Sequence, residues 1–229
     1  MSMATFVLVH GVSAGGWVWG DVPWILRQLG HRVHVCTLTG LGERSHLLGP
    51  DIDLDTHILD VANSIEFELL EEVILVGHSY GGAVITGVAE RIPERILRLV
   101  YVDAVALEDG EKVMDLWPPA IVAATMEVIQ TRGEGWYLPD EDPSDPRFVS
   151  HPARTLFQSI RVENENAAGL PHAYIFCTEK GEMGPAGWGI ISSAERARSE
   201  GWEYHELPTG HHPMWTMPQE LARLLVDMV

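Results

Sequence analysis

The stretch Val73–Arg91, VILVGHSYGGAVITGVAER, constrains this chain more than any other. Val73 to Val76 is an unbroken β-branched and aliphatic run, the pattern of a strand buried on both faces. From Ala83 onward the apolar residues Ala83, Val84, Val88, Ala89 and Ile92 recur at helical spacing, and Pro93 ends the helix. Between strand and helix lies Gly77-His78-Ser79-Tyr80-Gly81, a G-x-S-x-G sequence. In a sharp strand-to-helix turn of this type the serine is held in a strained conformation that thrusts its hydroxyl above the sheet. The flanking residues must be small because strand and helix pass close together. The bare pattern arises by chance in roughly one chain in ten of this size. Its placement between a buried strand and an amphipathic helix makes Ser79 a nucleophile candidate.

The remaining chain supplies a frame for such a turn. Thr5–Val9 reads as another buried strand, running into His10-Gly-Val-Ser-Ala-Gly-Gly-Trp17, whose glycines let backbone approach a ligand. A helix over Asp21 to Gln28 stops at Gly30, and His31 to Leu38 forms a strand. Asp55 or Thr56 is placed to cap a helix over His57 to Leu70, with Ile58, Val61, Ala62 and Ile65 on one face. After the elbow, Arg98 to Val102 is a strand ending at Asp103. The alternation implies βαβ units, hence an α/β fold with a mostly parallel sheet, six-stranded, and helices on both faces.

The rhythm breaks at about Leu107 and resumes at about Leu170. The intervening segment, 107–170, carries a polar run at Asp140–Pro146 and helical pieces at Glu111 to Leu116, Ala120 to Thr131 and Pro152 to Ser159. It reads as a helical cap inserted into a single domain spanning 1–229, since Leu116, Trp117, Met126, Trp136, Tyr137, Leu156 and Phe157 need somewhere to bury. Strand Ala173 to Thr178, helix Gly187 to Glu200, strand Trp202 to Leu207 and helix Pro218 to Met228 follow.

Partners are bounded by charge. With 15 Lys and Arg against 33 Asp and Glu, the net charge of −18 argues against nucleic acid or an anionic membrane. The N-terminal Phe6–Val9 run lacks a basic region and is too short for a signal peptide or a membrane span, so a cytoplasmic protein is expected. Cys36 and Cys177 have no metal-ligand spacing beside them and read as buried free thiols; no metal and no cofactor is expected. A homo-oligomer stays open.

In an open parallel sheet, ligands bind beyond the carboxyl ends of the strands. The groups at those ends are the His10 loop, Ser79, Asp103, the segment after Thr178 and the pair His211-His212. A serine nucleophile needs a base, and the base needs a carboxylate to fix its tautomer. Chain order Ser, acid, His is available here.

Four segments together resemble the α/β-hydrolase superfamily. They are Phe6-Val-Leu-Val-His-Gly-Val-Ser-Ala-Gly-Gly-Trp17, Val73-Ile-Leu-Val-Gly-His-Ser-Tyr-Gly-Gly82, Tyr174-Ile-Phe-Cys-Thr178, and Thr209-Gly-His-His-Pro-Met214 with Pro218. Within the superfamily the chain is most similar to the small esterases grouped with plant methylesterases of the salicylate-binding type and with hydroxynitrile lyases. The resemblance implies that His211 is the base, because the family's closing motif has Met three and Pro seven residues after it, as Met214 and Pro218 stand here. Plant members carry an Asp just after the Cys-Thr that ends the next-to-last strand. Here Lys180 stands about there, so Asp103 at the end of the previous strand is the preferred acid, with Glu179 and then Glu182 as alternatives. The resemblance also implies an oxyanion hole from the backbone N–H groups of Val12 and Tyr80. Trp17, Trp215 and His212, which flank the motif loops, are candidates to bind substrate.

The implied activity is a carboxylic ester hydrolase for small apolar acyl or aryl esters, working through an acyl-enzyme. Two alternatives stand beside it. A ligand-binding hydrolase-like protein with slow turnover would use the same fold. A hydroxynitrile lyase would need the Thr and Lys typical of those enzymes where this chain has Gly11 and His212.

Overall fold

The run from Val73 to His78 has no solvent-facing residue, and in the computed structural model every one of its residues is buried in an interior strand. The structure describes residues 3–140, 145–181 and 186–229. The first half of the chain contains β1 (Thr5–Val9), α1 (Val22–Gln28), β2 (Arg32–Cys36), α2 (Leu54–Phe67), β3 (Val73–His78), α3 (Gly81–Arg91) and β4 (Ile96–Val102). The chain then leaves the main sheet for α4 (Pro119–Arg132), the paired two-residue strands β5 (Tyr137–Leu138) and β6 (His151–Pro152), and the single turns α5 (Arg154–Phe157) and α6 (Glu165–Ala168). It returns as β7 (His172–Cys177), α7 (Ala186–Ser199), β8 (Glu203–Leu207), α8 (Pro213–Thr216) and α9 (Pro218–Asp227). Among the described residues no helix is long and apolar enough to cross a membrane.

The six-stranded sheet has the order β2-β1-β3-β4-β7-β8, with every pairing parallel. Side chains alternate across it as a pleat requires. Val7, Val9, Val73, Leu75, Leu99 and Tyr101 face a core shared with α2, α3 and α7. Phe6, Leu8, Ile74, Val76, Val100 and Val102 face the opposite core, closed by α1 and α9. Each aliphatic side chain removed from water in these layers contributes about 1.5–3 kcal/mol, so the central strands are anchored from both sides.

Boundaries differ from the sequence expectation where side chains cap the ends. Helix α2 starts at Leu54, not at 57, because Asp53 accepts from Thr56 N–H at 3.0 Å while its own N–H donates back to Thr56 Oγ1 at 3.4 Å. The loop expected over Pro208–Met214 ends in the extra turn α8. In segment 107–170, Trp117 and Leu156 join the α2–α3 core, but Met126 is exposed. Of the polar run Asp140–Pro146, residues 141–144 lie outside the described residues, as does Glu182.

Candidate active site

Close packing around the β3–α3 turn explains its glycines. A Cβ on Gly77 would sit 2.5 Å from Gly81 O, and one on Gly81 would sit 2.7 Å from the carbonyl oxygens of Val9 and His10. Ser79 takes a left-handed φ of 55°, an uncommon backbone state for a non-glycine residue. It is held there by Ser79 N–H to Val102 O at 3.3 Å and by Gly82 and Val105 N–H groups donating to its carbonyl at 3.1 and 3.0 Å. The turn is thereby tied to the residues that follow β4.

At the end of β4, Asp103 also adopts a left-handed φ, 45°, and its side chain is fully buried. A buried carboxylate requires charge and hydrogen-bond compensation. His211 Nδ1–H donates to Oδ2 at 2.7 Å, Cys177 N–H donates to Oδ1 at 3.0 Å, and the Lys180 ammonium pairs with Oδ1. Lys180, from the loop after β7, therefore faces the carboxylate supplied by the neighbouring strand. Glu179 is exposed, and only its backbone meets the histidine loop, through Glu179 N–H to Thr209 O at 3.0 Å.

With Nδ1–H committed to Asp103, His211 presents Nε2 as its acceptor. Its loop is fixed by His78, whose Nε2–H donates to His211 O at 2.7 Å and whose ring lies 4.5 Å from that of His211. Burial, reinforced by the neighbouring imidazoles of His211 and His212, holds His78 well below the usual histidine range, so it acts as a neutral donor.

Ser79, His78, His211 and His212 line one cavity of about 200 Å³ with Gly11, Val12, Ala14, Val18 and Phe148. Ser79 and His211 share this cavity without a hydrogen bond between them; such contacts commonly tighten only when substrate binds. The N–H groups of Val12 and Tyr80 have no acceptor among the described residues. Larger hollows, of about 260 and 490 Å³, open elsewhere against Glu90 and contain none of these groups.

The aromatic candidates divide. His212 lines the cavity, and burial, then the charge of His211, pulls it down to about 4. Trp17 and Trp215 do not line it. Their rings stack on each other at 6.2 Å, Trp215 covers His212 at 4.4 Å, and Trp17 packs edge-on against Phe148 at 5.0 Å. Both indoles lie beside the site, but their faces are taken up by other groups: the Arg147 guanidinium lies 4.0 Å over the Trp17 ring, and His212 stacks on Trp215. Phe148, from the inserted segment, is the lining aromatic that sequence reasoning missed, and no local pattern marks it. Among the described residues no group of three or more His, Cys, Asp or Glu side chains is placed to hold a metal ion.

Buried neutral imidazoles give a pH prediction. Burial lowers both His10 and His57 from an ordinary 6.5 to about 4. The unfolded chain therefore binds more protons than the folded one as pH falls from 6.5 towards 4. Stability is lost across that window, by about 3 kcal/mol per imidazole at its lower end. Urea midpoints measured from pH 7.5 to 4.5 should fall steeply below 6.5, and His57→Gln should lessen the slope by about 1.4 kcal/mol per pH unit. A slope identical in parent and variant would contradict this.

The model of the Alpha/beta hydrolase family matches residues 6–224. A carbendazim hydrolyzing esterase of Nocardioides sp. (strain SG-4G) is 37% identical over 99% of this chain and 100% of its own. Putative methylesterase 15, chloroplastic, of Arabidopsis thaliana is 22% identical over 97% of this chain, which spans 56% of that protein. Among solved structures, an extracellular alpha/beta-hydrolase from a Paenibacillus species, described as sharing structural and functional homology with tobacco salicylic acid binding protein 2, superposes with a TM-score of 0.85. It is 24% identical, and the match covers 98% of both chains.

Proposed function

Because the chain belongs to the alpha/beta hydrolase family, we propose that it is a serine carboxylesterase for small, apolar acyl or aryl esters, with Ser79 as nucleophile, His211 as base and Asp103 as supporting acid. The observation that carries the reading is the 2.7 Å bond from His211 Nδ1–H to the buried Asp103 carboxylate, beside Ser79 in a mostly apolar cavity. Esterases and methylesterases among the relatives support the reaction class.

In the proposed cycle Ser79 Oγ attacks the ester carbonyl as His211 Nε2 takes the hydroxyl proton. The imidazolium is stabilised by Asp103, and the developing oxyanion is met by the N–H groups of Val12 and Tyr80. His211 returns the proton to the departing alcohol. Water, deprotonated by the same imidazole, then attacks the acyl carbon, and His211 returns that proton to Ser79 Oγ as the acid leaves. Residues 107–170 serve in this reading as the cap, with Phe148 as its contribution to the acyl or aryl pocket.

A cytoplasmic location forms part of the reading, supported by two buried free cysteines, Cys36 and Cys177. Burial pushes the Cys36 thiol up to about 11 and the Cys177 thiol further, so both are unreactive.

A cavity of about 200 Å³ lies below the usual 300–1,000 Å³ range of pockets for drug-sized ligands. On p-nitrophenyl esters, kcat/KM should therefore peak among acetate, butyrate and benzoate and fall at least tenfold by laurate. Equal or better hydrolysis of laurate would contradict the size argument, and no hydrolysis above the buffer blank would contradict the reading itself.

A further inference from the structure

Neither strand nor helix fixes the loop after β1 at its most strained point. Ser13 carries a left-handed φ of 60° with no glycine to relieve it. Its two backbone groups are both held by the inserted segment. Ser13 N–H donates to His151 Nδ1 at 3.2 Å, and Ser13 O accepts from Val149 N–H at 2.9 Å. His151 is fully buried, so this acceptor is shielded from water.

The tautomer that makes Nδ1 an acceptor is itself fixed. His151 Nε2–H donates to Thr155 Oγ1 at 2.9 Å, and the Thr155 hydroxyl donates to Pro152 O at 2.7 Å. Burial holds His151 well below the usual histidine range, which keeps Nδ1 unprotonated. The same ring packs edge-on against Tyr80 at 5.1 Å, and the Tyr80 hydroxyl donates to His57 Nδ1 at 2.9 Å. His151 thus touches Ser13, the residue after Val12, and Tyr80 itself.

We infer that His151 is a positioning residue for the oxyanion hole: by accepting from Ser13 N–H, its Nδ1 pins the Val12–Ser13 peptide and so fixes the backbone immediately after Val12, whose own N–H, in the preceding Gly11–Val12 peptide, is the donor assigned to the hole. The inference rests on the proposed Ser79 chemistry. Without the acceptor, Ser13 N–H would be buried and unpaired, which favours rotation of that peptide and relaxation of the strained loop. The effect belongs to the tetrahedral intermediate, since an ester carbonyl in the ground state draws less on the hole than the oxyanion does.

Three variants test it. His151→Phe keeps a ring but loses the acceptor; His151→Asn places Oδ1 near the position of Nδ1; Thr155→Val removes the group that fixes the tautomer. His151→Phe should lower kcat roughly ten- to hundredfold, part of the 10²–10³ cost of losing one oxyanion donor, with KM within about threefold. Binding of a phenylboronic acid, which mimics the tetrahedral state, should weaken by a factor similar to that in kcat/KM. His151→Asn should recover most of both, and Thr155→Val should show a smaller loss of the same kind, which keeps the test alive if the Phe variant does not fold.

Ser79→Ala is run alongside. An inactive Ser79→Ala with a folded His151→Phe of parental kcat and boronate affinity overturns the proposal alone, as does a Thr155→Val enzyme at parental values if the Phe variant fails to fold. An active Ser79→Ala overturns the reading beneath it and the proposal with it.

Discussion

Ser79→Ala should lower kcat/KM on p-nitrophenyl esters by about 10⁴–10⁶-fold while leaving the fold intact. In the proposed cycle Oγ is the atom that forms the acyl-enzyme, and no other hydroxyl is on the cavity lining to replace it among the described residues. The proposed oxyanion donors are backbone groups and would survive the change, so residual hydrolysis above the uncatalysed rate is expected from them alone. The small alanine side chain is compatible with the 55° φ only because the surrounding bonds from Val102, Gly82 and Val105 fix the turn, so stability should change little. Stopped-flow traces should lose any burst of p-nitrophenol. A variant as fast as the parent would refute the nucleophile assignment.

Asp103→Asn should cost about 10⁴-fold in kcat, and Glu179→Gln less than a few-fold. Asparagine is close in shape to aspartate, so the site should stay packed. Its amide can offer an N–H towards His211 Nδ1, which then becomes the acceptor and leaves Nε2 protonated, the wrong tautomer for a base. Its carbonyl would still accept from Cys177 N–H, but the Lys180 ammonium would face a neutral group and the charge on that cation would go unanswered. A further loss of stability is expected for that reason. Glu179 is exposed and its carboxylate makes no bond to His211, so its replacement touches neither partner. Full activity in Asp103→Asn with loss in Glu179→Gln would reverse the assignment of the acid.

The sheet could be read from sequence because its central strands have no polar side: Val73 to Val76 and Phe6 to Val9 leave few alternatives to burial on both faces. Chain ends of helices were less legible, as the Asp53–Thr56 capping box shows, since a cap two residues upstream satisfies the same apolar stripe. Within the site, Ser79 follows from its strand-to-helix context, whereas the choice of His211 over the adjacent His212 came only from the resemblance in the closing motif. The pairing of Asp103 with His211 was a preference in the sequence, resting on the substitution of Lys180 for the relatives' acid; the ion pair between Lys180 and Asp103 had no signal there. Phe148 and His151 were invisible for a different reason. Their places are set by contacts with Trp17, Ser13 and Tyr80 far away in the chain, made by a segment without a strong period. The two tryptophans flank the motif loops in sequence, yet neither is on the lining of the cavity that holds Ser79.

Covalent trapping tests the central claim most directly. Parent, Ser79→Ala and Asp103→Asn are incubated with a fluorophosphonate, and the intact mass and modified peptide are read by mass spectrometry. The account predicts one adduct per chain on Ser79 in the parent, none in Ser79→Ala, and formation slowed by orders of magnitude in Asp103→Asn. An adduct on another residue, or one that forms equally fast in all three proteins, would contradict it.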